Sequence, residues 1–360
     1  MFNHKHYVPV LKWRQGEYLA LSKLGKLEKS KITPVLDIPP VEWDFEKGEH
    51  AKTIDRHLET FGARLEKNWG TRPIFVDLKL VDQKMIMSDG THPITRVHKL
   101  SVDKKCNCIF VTGLNRPNDY QVALKSIVPA TDGLAIRLNP NHFADVKLQE
   151  NLETLLNFLG AKSKPVDLIL DLLSPSFQPL AGFTALVINQ YNKLLSFRDW
   201  RTVTIAATAF PKTMAGINPG VFKVERLEWT FYKTLVEALG GKGRLPTFGD
   251  YCIAHPELPT EDPRKFKPAA TVRYTSDGSW LISKGTTVRK KDGFKQYRQR
   301  CEEIVARSEF RGAGYSMADQ YISDCAEGKA STGNLTTWRW VGTNHHITNV
   351  TEDLAKFFAA

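Results

Sequence analysis

The chain has 360 residues, of which 42% are hydrophobic and 25% are charged. These proportions are ordinary for a globular protein in water and leave ample chain for a core. No apolar run approaches the roughly 20 residues of a membrane-spanning helix, and the N-terminal MFNHKHYVPV lacks the apolar segment of a signal peptide. The five cysteines are odd in number and form no CxxC pair, which predicts a reducing cytoplasmic location.

The net charge is strongly positive, at +11 with a pI near 9.3. Between Thr260 and Arg311 there are 13 Lys and Arg against 7 Asp and Glu, an excess of 6 that accounts for about half of this charge. Such a balance permits an acidic partner, either a nucleic acid or an acidic protein.

Short apolar strands alternate with helices along the first 250 residues. The predicted strands, in chain order, are residues 7–13, 32–38, 73–78, 108–111, 133–138, 166–172, 202–209 and 247–253. Helical periodicity marks residues 16–27, 51–69, 118–128, 148–159, 180–195 and 227–239, with a weaker stretch from Pro93.

This alternation predicts a parallel α/β fold. Eight strands over roughly 250 residues favour a closed (β/α)8 TIM-like barrel. An open, doubly wound sheet is the alternative, because the pattern alone does not show whether the sheet closes.

The last hundred residues depart from the pattern. We expect a β-hairpin over residues 271–283 with its turn at Asp277-Gly278, and a helix over residues 294–308 that would serve as the eighth helix of the barrel. A second helix is predicted over 316–325, a strand over the aromatic stretch 335–341, and a short helix at the end. The predicted division is a barrel over residues 1–258 and an extension over 259–360 packed on it.

Charged residues stand at the predicted strand ends, which converge on one mouth of a barrel. Asp77 and Lys79 are two apart and therefore share a face of an extended chain. The group is a functional pocket, catalytic or ligand-binding, or else a structural network of salt bridges. Its members are Lys12, Asp37, Asp77, Lys79, Arg137, Asp171 and Asp250, with His255 just beyond the last strand.

No motif predicts a metal or a cofactor. The adjacent His345 and His346 cannot both face one ion from a strand, and we expect them to be a surface pair. The glycine-rich Gly240–Gly243 follows a helix, lacks the spacing of a phosphate-binding loop, and is predicted to cap that helix.

Two further features predict contact with a partner or with nucleic acid. Basic residues interleave with aromatic ones between 289 and 300, a composition that binds nucleic acid but is also common on solvated helices. Two tryptophans at 338 and 340 would share a strand face, as a core anchor or as an interface. The candidate residues are Arg289, Lys290, Lys291, Lys295, Tyr297, Arg298, Trp338 and Trp340.

The opening YVPVLKWRQGEYLAL, at residues 7–21, and ITPVLDIPP, at residues 32–40, resemble the beta protein family of satellite phages and bacterial prophage-like loci. Residues that match the family pattern are Lys12, Arg14, Glu17 and Asp37. The resemblance implies a role beside a co-encoded killer protein called Gop, which the beta protein keeps inactive. It therefore implies an antitoxin or immunity protein in a toxin–antitoxin cassette for anti-phage defence.

Two classes of function compete. One is a protein that neutralises a killer protein by binding it. In a variant of this hypothesis, the protein also senses a ligand at the barrel mouth. The other is a TIM-barrel enzyme, a hydrolase or a phosphoryl-group enzyme acting on a nucleotide or nucleic acid. The fold does not decide between them, because barrels host many functions.

Overall fold

A computed structural model describes residues 2–241, 243–259 and 262–359, except for the side chain of Pro263. Its strands are β1 Tyr7–Leu11, β2 Val35–Asp37, β3 Trp43–Asp44, β4 Glu49–His50, β5 Ile74–Asp77, β6 Cys108–Thr112, β7 Leu134–Leu138, β8 Val166–Asp171, β9 Val203–Ala207, β10 Gly220–Glu225, β11 Thr247–Asp250, β12 Ala269–Ser276 and β13 Ser279–Thr287. Its α-helices are α1 Gln15–Ser22, α2 Lys26–Ser30, α3 Ile54–Leu58, α4 Phe61–Asn68, α5 Pro93–Asp103, α6 Asn118–Ile127, α7 Leu148–Phe158, α8 Leu180–Phe197, α9 Leu227–Leu239, α10 Gln296–Val305, α11 Met317–Ala326 and α12 Leu335–Phe357.

Eight parallel strands close into a barrel in the order β1-β11-β9-β8-β7-β6-β5-β2. The (β/α)8 prediction is therefore confirmed, and the open-sheet alternative is wrong. Each strand begins within three residues of its predicted start, because buried apolar runs between helices leave little freedom of placement. The helix predicted over 51–69 is divided into α3 and α4, which are separated by Glu59-Thr60.

Alternation along the strands divides the side chains between two cores. The inner core fills the barrel with residues such as Val8, Phe75, Ala135, Ile169 and Tyr251. Their neighbours in sequence face outward, where they pack against the surrounding helices. This parity decides which strand-end residues enter the mouth.

The C-terminal part of the chain forms a lobe around a three-stranded sheet, with the strand order β10-β13-β12. The predicted hairpin is confirmed, with Asp277-Gly278 at its turn between β12 and β13. The third strand, β10, comes from the segment between the barrel strand β9 and helix α9. The sheet is thus assembled from two separate parts of the chain.

The predicted strand at 335–341 is wrong, because these residues begin the long helix α12. The side chain of Asn334 caps this helix by accepting a hydrogen bond from the backbone N–H of Thr337. Threonine, tryptophan and valine have high strand propensity, but burial on two sides overrides it here. One face of α12 contributes Ile347 to the barrel core and another contributes Val341 to the lobe core.

Helix α12 also takes the place of the eighth barrel helix. It packs against α1 and touches β1, and its Phe357 lies 5.8 Å from the Trp229 ring of α9. Helix α10, the segment expected there, instead packs on α11 and on the lobe sheet. That prediction is wrong. Within the described ranges, no helix is both long and apolar enough to cross a membrane.

Candidate functional site

Two of the aspartates in the mouth form a tight turn at the end of their barrel strand. The carboxylate of Asp77 accepts a hydrogen bond from the backbone N–H of Lys79 at 2.9 Å. That of Asp171 accepts one from Leu173 at 3.1 Å. Such turns are what short acidic side chains favour after a strand, and they leave the second carboxylate oxygen free for other partners.

Arg137 is the centre of the mouth. Its Nη1 lies 2.6 Å from Asp37 and 3.1 Å from Asp77, and its Nη2 lies 2.8 Å from Asp171. Nη2 also donates to the hydroxyl of Tyr251 at 3.0 Å. The guanidinium thus joins four barrel strands by contacts that match its planar donor geometry.

Two more cations complete the cluster. The ammonium of Lys79 lies 3.4 Å from Asp37 and 3.6 Å from Asp171. Arg116, from the loop after β6, donates to both oxygens of Asp77 at 2.9 and 3.0 Å. Three carboxylates therefore face three cations, and the formal charge of the cluster is zero.

The electrostatics of the network favour the charged forms of Asp171 and Arg137. Burial would raise the pKa of Asp171, but the charges of Arg137 and Lys79 outweigh it and hold this pKa below its usual 3.8. Burial opposes the charge of Arg137 as well, and the carboxylates of Asp37 and Asp171 raise its pKa above the ordinary value. The pKa of Tyr251 is raised by burial and then by Asp171, so its hydroxyl stays protonated and donates.

Five of the eight predicted mouth residues come together in this network: Asp37, Asp77, Lys79, Arg137 and Asp171. Lys12 and His255 lie apart from it. The ammonium of Lys12 donates to the carbonyls of His255 and Glu257 at 2.5 and 3.1 Å, and burial lowers its pKa to about 8. The ring of His255 is partly exposed and accepts from the backbone N–H of Glu257.

Asp250 faces away from the mouth, because the neighbouring Tyr251 takes the inward position. Its carboxylate accepts from the Tyr7 hydroxyl at 2.5 Å and from the Cys252 N–H at 2.8 Å. Its other oxygen lies 2.8 Å from Nε2 of His346 on α12. The prediction that Asp250 lies in the mouth is therefore wrong, because successive residues of a strand face opposite sides and the inward position belongs to Tyr251.

The two histidines of α12 are fully buried, so the prediction of a surface pair is wrong. Burial is the largest cause of the lowered pKa of His346, and its neutral ring donates from Nε2 to Asp250. His345 lies 2.9 Å from Asp319 through Nδ1 and 2.8 Å from the carbonyl of Thr275 through Nε2. The pair thus ties α12 to the barrel on one side and to the lobe on the other.

Among the described residues, one group has the spacing of a metal site. The ligand atoms of Asp250, Cys252 and His346 lie within 4.8 Å of one another. Metal binding would need the thiolate of Cys252, whose pKa is raised by burial and then by the charge of Asp250. The facing atoms of Asp250 and His346 are already hydrogen-bonded, so the group acts as a buried anchor between barrel and helix.

The remaining candidates divide by exposure. Arg289, Lys290, Lys291, Lys295 and Arg298 are exposed. Tyr297 and Trp338 are buried and stack on each other, with ring centroids 4.6 Å apart and planes 6° apart, and Trp340 is buried beside them in the lobe core. The basic side chains are therefore accessible, whereas the predicted aromatic partners are not free to stack on a base.

Arg116 and Tyr251 belong to the mouth but were missed in the sequence. Arg116 lies in a loop, where no periodicity indicates its direction. Tyr251 follows Asp250, which was predicted in its place because it is charged and stands at the end of the strand. Tyr251 shares the inward face of β11 with Gly249, but the sequence does not show which face of that strand is inward, and no sequence signal marks Arg116.

The fold and this site define a (β/α)8 barrel whose mouth is occupied by its own ion pairs and whose eighth helix comes from a C-terminal lobe. The chain belongs to the Beta protein family, since the family's sequence model matches residues 7–352. The resemblance drawn from the first forty residues is thus confirmed over nearly the whole chain.

Among solved structures, the chain is similar to an endo-1,4-beta-xylanase from Caldicellulosiruptor owensensis. The identity is 12%, the match covers 62% of this chain and 67% of that one, and the TM-score is 0.29. A likeness at this score carries no functional conclusion. No curated protein matches the chain.

Proposed function

We propose that this protein is the immunity partner of a co-encoded killer protein in an anti-phage cassette, and that it acts by binding the killer through the carboxyl face of its barrel. Membership of the Beta protein family supports the class of function. The observation that carries the binding mode is a group of exposed aromatic side chains on the loops of this face, beside a mouth whose charges are already paired.

The aromatic group lies on two neighbouring loops. Trp43 and Phe45, in the hairpin after β2, are 46% and 41% exposed, and Phe266, after β11, is 39% exposed. The two loops are joined by an ion pair of 2.6 Å between Glu46 and Arg264. Large aromatic side chains at such exposure are typical of interface anchors.

Basic residues border this aromatic group. Arg289 donates to the carbonyl of Arg264, two residues before Phe266, at 2.6 Å, and the lysines that follow it, Lys290 and Lys291, are exposed. A partner that fits has an apolar centre with an acidic rim. The enzyme alternative gains no support at the mouth, because each of the three carboxylates there is ion-paired.

The test is rescue of growth during co-expression with the neighbouring killer gene. We expect wild type to rescue and the double variant Trp43→Ala/Phe45→Ala to fail, while folding normally because both side chains are exposed. The matched control is Leu186→Ala, which removes a 53% exposed side chain from the outer helix α8 and should rescue. Rescue by the double variant would refute this surface, and failure of wild type to rescue would refute the immunity role.

A further inference from the structure

A second group of cations lies where the lobe meets the carboxyl face of the barrel. It consists of Lys12 after β1, Arg273 on β12 and Arg339 on α12, and we call it the basic junction. The charge of Arg339 acts on both of the others and lowers their pKa values. Three separate parts of the chain thus bring positive charge to one place.

Arg273 forms no ion pair with any residue that the structure describes. Its guanidinium lies over the Phe210 ring at 5.3 Å, and its buried Nε has no hydrogen-bond partner among the described residues. Burial, and after it the charge of Arg339, lowers the pKa of Arg273 to about 9. The residue as a whole keeps intermediate exposure to solvent, although its Nε is buried.

Arg339 and Lys12 are held by carbonyl oxygens. Arg339 donates to Ile253 at a long 3.4 Å, and Lys12 donates to His255 and Glu257. Within the described parts of the chain, none of the three cations of the junction has a carboxylate within 4.0 Å. Burial is the largest effect on the pKa of Lys12 and lowers it, while the charges of Glu17 and Asp37 oppose that effect from beyond ion-pair distance. The carboxylate of Glu17 accepts its hydrogen bond from the backbone N–H of Arg14.

The position of the junction suggests its ligand. Phe210 follows β9, and Ile253 and His255 follow β11, so the cations gather over the loops after the seventh and eighth barrel strands. In (β/α)8 barrels this is a frequent place for a phosphate group. A group of cations without ion-paired carboxylates is stabilised by a bound anion, and guanidinium groups match the geometry of phosphate oxygens.

We propose that the basic junction of Lys12, Arg273 and Arg339 binds the phosphate group of a small anionic ligand. The site uses side chains from the lobe where other barrels use glycine-rich loops, which explains why no phosphate-binding motif is visible in the sequence. The inference does not depend on the binding of a killer protein, because the junction and the exposed aromatic group are different residues.

The test is thermal unfolding of the full chain with increasing orthophosphate, at an ionic strength kept constant with chloride. Orthophosphate should raise the Tm of wild type, since a ligand that binds only the folded state stabilises it. In the double variant Arg273→Met/Arg339→Gln we expect the affinity to fall at least about tenfold, the usual cost of a lost charge-assisted hydrogen bond. Methionine preserves the apolar contact with Phe210.

Two controls separate this site from general charge effects. Arg298→Gln removes one exposed positive charge from α10 and should bind orthophosphate as wild type does. Arg273→Lys keeps the charge of the junction and should retain part of the Tm response even if the double variant folds poorly. An equal Tm response in wild type and the folded double variant, or no response in wild type, would overturn the proposal.

Discussion

Replacing Arg137 by methionine tests whether the mouth is a balanced network. The change removes ion pairs of 2.6, 3.1 and 2.8 Å to Asp37, Asp77 and Asp171. Lys79 and Arg116 remain, so three buried carboxylates would face two cations. Breaking a buried ion pair by removing one partner costs about 3–5 kcal/mol, and we expect the free energy of unfolding to fall by this amount at neutral pH.

The pH dependence makes this prediction sharper. In wild type the pKa of Asp171 is lowered, so its stabilising contribution is present above the unfolded value near 3.8 and is lost as the pH falls through the folded value. In the variant, burial of Asp171 without Arg137 should raise the pKa of this carboxylate above its value in the unfolded chain. The stability of the variant therefore decreases as pH rises, and the difference from wild type should be smaller at about pH 5 than at about pH 7.5.

The assay is urea unfolding of both proteins at the two pH values. The control is Lys104→Ala, which breaks an exposed pair of 3.3 Å with Glu66 and should cost less than about 1 kcal/mol at either pH. A loss below about 1 kcal/mol for Arg137→Met, or a loss that does not change with pH, would refute the view that Arg137 is the central counterion of the mouth.

Three further predictions concern other parts of the molecule. Burial lowers the pKa of His346 below 6.5, so as the pH falls this histidine is protonated in the unfolded chain before it is protonated in the folded one. The free energy of unfolding should therefore decrease below about pH 6.5, and in urea unfolding His346→Gln should show a smaller decrease than wild type. Trp338→Ala removes a buried ring stacked on Tyr297 and should lower the free energy of unfolding by about 3–5 kcal/mol. An unchanged midpoint of urea unfolding would contradict the assignment of Trp338 to the core. If the exposed basic stretch contacts nucleic acid, Lys290→Glu/Lys291→Glu should weaken the binding of single-stranded RNA in a mobility-shift assay at physiological salt and should reduce the salt dependence of that binding. The absence of a shift with the wild-type protein would refute nucleic-acid binding by this stretch.

The barrel was predictable because its strands are apolar on both faces and recur between amphipathic helices. The mouth was largely predictable for the same reason, since parallel strands bring Asp37, Asp77 and Asp171 to one end. Asp250 was not, because strand parity at the end of β11 depends on one residue and the sequence offers no reference for it.

The lobe was harder to predict, because its structure depends on contacts between distant segments. β10 is short, half-exposed and stabilised by pairing with β13, some sixty residues later in the chain. The start of α12 has strand-like composition, and only its burial between barrel and lobe makes it helical. Local propensity is a weak guide where tertiary packing decides.

The dependence of the barrel on α12 leads to a last prediction, that a fragment of residues 1–258 does not fold alone. It would expose the barrel surface that now covers Ile347, Val350 and Leu354, and it would leave Asp250 without His346. Burying one such apolar side chain is worth about 1.5–3 kcal/mol, so losing three costs about 5–9 kcal/mol, comparable to the whole stability of a typical domain.

Expression of the fragment alone should therefore give aggregated protein, and co-expression with residues 259–360 as a separate chain should restore a soluble complex. The matched control is a nick in the full-length protein near residue 258, which preserves every contact of α12 and should leave the two parts associated. A fragment 1–258 that is monomeric and unfolds cooperatively would contradict this dependence, because the barrel would then be complete without its eighth helix.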